Sequence, residues 1–234
     1  AHRRHRLISL FSKAKQAEAS GRARLARFLL TQCLALEPSD AHAILALARI
    51  EAAEGNERRA SELFTSARAA QPRNLRLVHA HGVFEARRGR PAAARQAFLA
   101  CERLHPRSSY AIHSWGILEE SLGKVDAARA VYARCPDSPK VMAAWAALEA
   151  RQANTTHARS LYRAACAAGG LPVVAGAGGA VRVPAAQQLA ADAAAELYVD
   201  WAALETRSGS LRHARSLLAQ ARALAPENAA AVVA

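Results

Sequence analysis

The chain has 234 residues, 52% of them hydrophobic and 5% aromatic, and 32 Lys and Arg against 19 Asp and Glu give a formal charge of +13. That apolar fraction excludes a disordered chain. The longest weakly polar run, 169–181, is glycine-broken and too short for the roughly 18–20 residues of a spanning helix. Four cysteines without a CxxC pair argue against a disulfide scaffold or a zinc site. The first residue is Ala1 rather than Met, and 228–234 read as the start of another helix, so the sequence reads as a piece of a longer protein.

Glycine sets the phase of the elements. Gly21, Gly55, Gly89 and Gly123 are spaced by 34 residues each; Ala153 takes the next place 30 on, and Gly209 follows 56 further. Four positions before each mark stand Glu51, Glu85, Glu119, Glu149 and Glu205, with Ala17 in the first unit. Eight before stand Trp115, Trp145 and Trp201, with Leu47 and His81 earlier. Five and six after come Ala-Arg pairs, from Ala26-Arg27 to Ala214-Arg215, broken only by Ala60-Ser61. Nine after lie Leu30, Phe64, Phe98, Tyr132, Tyr162 and Leu218, and seventeen after come Pro38, Pro72, Pro106 and Pro226. Fixed self-similarity at such a period marks a repeat architecture.

Each repeat reads as two antiparallel helices. Ile112, Trp115, Leu118 and Leu122 share one face of a helix. The marker glycine supplies the permissive backbone that stops the first helix. The small Ala128 and bulky Tyr132 then line the second helix. One hairpin cannot bury its own apolar face, but a stack can. The expectation is therefore all-α: a right-handed α–α superhelix of about six hairpins, at 4–38, 39–72, 73–106, 107–138, 139–168 and 185–226. The early start of the fifth repeat predicts a short second helix in the fourth, closed by Pro136 and Pro139. The Gly-, Val- and Pro-rich stretch 169–184 reads as an inserted surface loop.

The pattern W-x-x-L-E-x-x-x-G-x-x-x-x-A-R-x-x-[LY], at Trp115–Tyr132 and Trp201–Leu218, resembles the HAT (half-a-TPR) repeat, and the 34-residue period with Gly82, Gly116, Ala146 and Ala202 after the Trp place resembles the TPR. The blend is similar to TPR/HAT factors of chloroplasts that mature and stabilise messenger RNA. It also resembles HAT arrays of nuclear splicing and 3′-end-processing factors. The resemblance implies a single-stranded RNA-binding protein of the chloroplast, acting by occupancy of its transcript. Its rivals are a nuclear protein–protein scaffold and a peptide-binding TPR module.

No residue constellation points to an enzyme, a metal, a cofactor or a small-molecule substrate. Cys33, Cys101, Cys135 and Cys166 recur at one place and read as small buried hydrophobes. The three Trps read as core, and His157 and His213 as exposed helix-start residues. Glu85 and Arg95, Glu119 and Arg129, Glu149 and Arg159, and Glu205 and Arg215 stand ten apart, and are expected to meet within their own hairpins.

By analogy with TPRs, the places 13, 10, 6, 3 and 2 before each mark line the first-helix face. They carry the bases Lys15, Arg49, Arg76, Arg87, Lys140, Arg151 and Arg207, the ring of Tyr110, and His42, His79 and His113, against Glu18, Glu120 and Glu196. Bases track a phosphate backbone, and rings stack on unpaired bases. The charge is lopsided: 1–110 hold 20 bases and 9 acids, whereas 111–234 hold 12 and 10.

Overall fold

The computed structural model describes residues 2–171 and 188–225. Most of the expected insert, together with 226–234, lies outside the described residues. Those described form twelve α-helices and no strand, in two compact units, Ala1–Ala111 and Ile112–Ala234.

The first unit holds α1 (His2–Ala19), α2 (Ala23–Leu36), α3 (Ala41–Ala53), α4 (Glu57–Ala70), α5 (Leu75–Arg87), α6 (Pro91–Leu104) and the start of α7 (Ser109–Ser121). The second holds the rest of α7, α8 (Val125–Tyr132), α9 (Pro139–Arg151), α10 (Thr155–Ala168), α11 (Gln188–Arg207) and α12 (Leu211–Leu224). As hairpins, α1 pairs with α2, α3 with α4, α5 with α6, α9 with α10 and α11 with α12, and α2 packs on α3, α4 on α5, α8 on α9 and α10 on α11. Within each unit the architecture is an all-α stack of helical hairpins.

The marker residues close the hairpins. Gly21, Gly55, Gly89, Gly123 and Gly209 have φ between 68° and 81°, the left-handed region that a Cβ disfavours. Ala153 adopts φ 61° with a side chain attached. In every hairpin the amide after the mark donates to the carbonyl five residues back, as Asn56 does to Glu51 (2.8 Å) and Asn154 to Glu149 (2.9 Å). At Glu51, Glu149 and Glu205 the turn thus pins the very residue whose carboxylate links successive repeats. Asp40 caps α3 by accepting from the His42 amide, and Pro91 and Pro139 begin α6 and α9, where a missing N–H does no harm. The second helix of the fourth repeat, α8, has only 8 residues, and Pro136 follows it.

Side-chain size sets the packing. The alanines five after each mark (Ala26, Ala60, Ala94, Ala128, Ala158, Ala214) are buried, as are Leu30, Phe64, Phe98, Tyr132 and Tyr162 one turn on. Gly116 faces the ring of Tyr132 and Gly82 that of Phe98 so closely that a methyl group at either would collide with the ring. The four cysteines are buried thiols outside any disulfide. Burial pushes Cys101 and Cys166 up to about 11, so they stay protonated and apolar. Trp115 and Trp201 are buried and Trp145 half-buried.

The glutamate–arginine pairs do not form within hairpins. Arg27 meets Glu51 at 3.0 Å, Arg129 meets Glu149 through Nε and Nη2 at 2.8 and 2.9 Å, and Arg159 meets Glu205 at 2.8 and 2.6 Å. Each arginine reaches the acid of the following repeat, and the ten-apart expectation is corrected. Its neighbour, the alanine one position earlier, is the residue turned toward its own first helix. A further 100° of helical rotation carries the arginine to the next repeat. The acids are Glu51, Glu85, Glu119, Glu149 and Glu205, all buried, and a buried carboxylate needs such a partner.

The indole completes the junction. Trp115 donates Nε1–H to Glu119 (2.8 Å), Trp145 to Glu149 (2.9 Å) and Trp201 to Glu205 (2.9 Å). His157 and His213 are not simply exposed helix-start residues. They stand edge-on to Trp145 and Trp201, with ring centroids 5.4 and 5.1 Å apart, and approach Glu149 and Glu205 at 3.7 and 3.5 Å. The Arg129 hydrogen bond outweighs burial and holds Glu149 down at about 2. Burial pushes Glu205 up, but hydrogen bonds from Arg159 and Trp201 overcome it and leave that carboxyl also at about 2.

The third repeat departs at both partner positions. His81 replaces the tryptophan and Ser61 the incoming arginine. His81 accepts from Arg68 at Nδ1 (3.0 Å) and turns Nε2–H to Glu85 at 3.4 Å. Burial, then the charge of Arg68, lowers the His81 pKa and keeps that ring neutral. Arg90 and Arg88 stand off from Glu85 at 3.7 and 3.9 Å.

Candidate binding face

Within the first unit, first-helix side chains from successive repeats meet in a row. Lys15 of α1 lies over the Phe11 ring, 5.6 Å from its centroid. Phe11 stands edge-on to His42 of α3, centroids 6.1 Å apart. His42 takes a hydrogen bond at Nε2 from Arg76 of α5 (3.0 Å), while its Nδ1 faces Asp40 at 3.5 Å. That pairing requires the proton on Nδ1 and leaves Nε2 as acceptor. Further along, His79 of α5 meets Tyr110 of α7 edge-on at 6.5 Å. Lys15, His42, Arg76 and Tyr110 are all exposed, Tyr110 by 66%.

The periodicity explains the row. Ile8, His42, Arg76 and Tyr110 share the place thirteen before the mark, and Phe11 and His79 the place ten before it. Stacking turns these places into adjacent columns of cations and rings. Phe11 does not stand out in the sequence beside the bases and Tyr110, although it occupies a lining place. The signal that finds it is its equivalence to His79.

Other expected bases are placed differently. Arg49 is exposed but held by Glu18 through three hydrogen bonds of 2.6, 2.9 and 3.1 Å. In the second unit, Arg151 at the end of α9 is ion-paired to Glu120. Arg49 and Arg151 thus already have carboxylate partners, and the basic lining is mixed rather than uniform. Arg87, the last residue of α5, is exposed and makes no ion pair among the described residues. Arg207, the last of α11, is exposed and donates to its own helix at Ala203 (3.4 Å). Lys140 is exposed on the first turn of α9. Among the described residues no cluster of His, Cys, Asp and Glu has a metal-holding arrangement, and no helix is long and apolar enough to cross a membrane.

Residues 17–81 match the Tetratricopeptide repeat family. No curated protein matches the chain by sequence. Solved structures match along nearly its whole length. A structure titled for the functional characterisation of pilF from Pseudomonas aeruginosa aligns over 97% of this chain and 95% of its own, at TM-score 0.62 and 20% identity. PilW, described as a widely conserved type IV pilus biogenesis factor, aligns over 97% and 98%, at 0.62 and 18% identity. A thermophilic TPR protein of Thermus thermophilus aligns over 86% and 99%, at 0.57 and 22% identity. At such identities the likeness speaks to the fold, an α–α solenoid. The chain accordingly carries a tetratricopeptide-type repeat segment at 17–81 within an all-α solenoid, an architecture suited to holding protein partners as a scaffold.

Proposed function

We propose that the chain is a non-enzymatic binding solenoid whose first unit holds single-stranded RNA, and that it serves organelle messenger-RNA processing, in the chloroplast, by occupying its transcript. The observation that carries this reading is the Lys15–Phe11–His42–Arg76 row with Tyr110 beyond it. Cations there suit a phosphate backbone, and rings suit unpaired bases. The charge of the first unit, 20 bases against 9 acids, adds a long-range attraction for a polyanion. Occupancy needs no catalytic group: a held strand is shielded from exonucleases and from pairing with itself.

Binding of labelled single-stranded RNA to the whole chain across a salt series tests this. The logarithm of the affinity should fall linearly with the logarithm of the salt concentration. Arg76→Ala and Arg87→Ala should each weaken binding and make that slope shallower, by roughly one phosphate contact's worth. No binding at low salt, or a flat response, would overturn the reading.

The second reading is a protein-interaction scaffold, of the kind found in nuclear RNA-processing complexes. The Arg49–Glu18 and Arg151–Glu120 pairs favour it, because they neutralise bases that RNA would otherwise engage. The same titration separates the two, since a scaffold of this kind keeps its partner when Arg76 is lost and RNA binding is absent.

A further inference from the structure

The junction pattern fails at one second-helix position, and an open surface groove lies there. Ser61 stands where Arg27, Arg95, Arg129, Arg159 and Arg215 stand in the other repeats. That groove, of about 1220 Å³, is lined by Ser61, by Arg58 and Arg59 from the first turn of α4, by Arg88 and Arg90 from the α5–α6 turn, and by Glu51. Glu57 and Glu62 line it too and hold some of these bases: Arg88 meets Glu57 at 2.9 Å, and Arg58 and Arg59 meet Glu62 at 3.2 and 3.4 Å. Arg90 is the loosest, with a side chain 57% exposed and 3.7 Å from Glu85. The Ser61 carbonyl accepts from Thr65, but its hydroxyl makes no hydrogen bond among the described residues.

The chain around Ser61 reads Arg58-Arg59-Ala60-Ser61, two bases two and three positions ahead of a serine. This is the basic context that arginine-directed serine kinases accept. Presenting it requires the first turns of α4 to open. Asn56 at the start of α4 makes no side-chain cap and donates to Glu51 instead (2.7 Å), so those turns lack a side-chain cap against fraying.

We infer that Ser61 is a phosphorylation site for an arginine-directed serine/threonine protein kinase, and that its phosphate is received by Arg88 and Arg90, tying the second repeat to the third. In the transfer, the Ser61 Oγ bonds to the γ-phosphorus of magnesium-bound ATP and gives up its proton to the kinase's carboxylate base. The bond from that phosphorus to the bridging oxygen breaks, and ADP leaves. The product carries about −1.5 to −2 charges and three strong acceptor oxygens, facing a cluster of arginines. Elsewhere a cation on the second helix reaches an acid in the next repeat. Here an anion on the second helix reaches cations in the next repeat, and the junction is restored with its polarity reversed. Glu85 keeps its hydrogen bond with His81 when Arg90 turns away.

The test is to treat the whole folded chain with a purified arginine-directed serine kinase and magnesium ATP, then map phosphate by mass spectrometry on the tryptic peptide Ala60–Arg68. Phosphate is expected on Ser61, and that peptide should stay unmodified in Ser61→Ala although Thr65 and Ser66 remain. The modified chain should melt about 2–4 °C higher, from one or two charge-assisted hydrogen bonds in a chain of this size. In Arg90→Ala, modified in the same way, most of that rise should vanish. No phosphate on Ser61, a melting point unchanged or lowered by it, or an undiminished rise in Arg90→Ala would each overturn the inference.

Discussion

Ala153 shows how much of each hairpin rests on one backbone conformation. It occupies the place that glycine fills in the other five repeats and takes φ 61° there with a β-carbon. An L-residue in that region is disfavoured by about 1–2 kcal/mol, and glycine's greater freedom in the unfolded chain offsets about 0.4–1 kcal/mol of any relief. Ala153→Gly should therefore stabilise the chain by up to about 1 kcal/mol, read as a higher denaturant midpoint with unchanged slope. A lower midpoint would mean that the Asn154–Glu149 turn tolerates the alanine at no cost. Gly116 makes the opposite demand. It is required for the space that Tyr132 fills, not for its backbone angles, as Ala146 and Ala202 at equivalent positions show.

At the scale of the helix pair, the junction is a relay of arginine, glutamate and indole. Arg129 sits 20 residues before its acid and Arg159 46 before, whereas Arg27 sits 24 before. Those three separations differ because each equals the local repeat period less ten. A double-mutant cycle distinguishes this geometry from pairing inside the hairpin. Arg129→Ala and Glu149→Gln should couple, because Arg129→Ala leaves the buried Glu149 carboxylate without its guanidinium. Arg129→Ala and Glu119→Gln should add independently. The acidity of the junction follows from the same contacts. Glu149 and Glu205 lie at about 2 in the fold against an ordinary 4.5. Their contribution is complete above about pH 4.5 and disappears as the pH falls toward 2. The melting temperature should drop across that window, and Glu149→Gln should flatten the drop while leaving the profile above it level.

The sequence made the hairpins legible because period, glycine and alanine are local signals. It made the members of the junction legible too, but not their pairing. Ten residues and twenty-four residues are equally compatible with a repeating pattern. Only the 100° step between the buried Ala128 and its neighbour Arg129 decides which helix the guanidinium meets. The lining face was harder still. Arg49 and Lys15 look alike in sequence, yet Glu18 neutralises one and the Phe11 ring carries the other. Such distinctions depend on how far one repeat is displaced along the next, which no residue spacing records.

Across the whole molecule, the two units differ in how completely their junctions are built. In Ile112–Ala234, Glu149 and Glu205 each receive a bidentate arginine, an indole N–H and a histidine edge. In Ala1–Ala111, Glu51 has its arginine, but Glu85 has an imidazole at 3.4 Å and two guanidinium groups beyond hydrogen-bond range. The first unit also concentrates the excess positive charge, which repels itself most where it is densest. Local opening follows the weakest contacts rather than the average. Native-state amide exchange should therefore find α4 and the start of α5 opening before α9, α10 and α12. Added salt should slow exchange in the first unit by screening its like charges, and change the second little. Equal protection of α4 and α10 would show that the apolar rows alone, Ala60 and Phe64 against Ala158 and Tyr162, set the stability of a repeat. The arginine relay would then govern only its alignment.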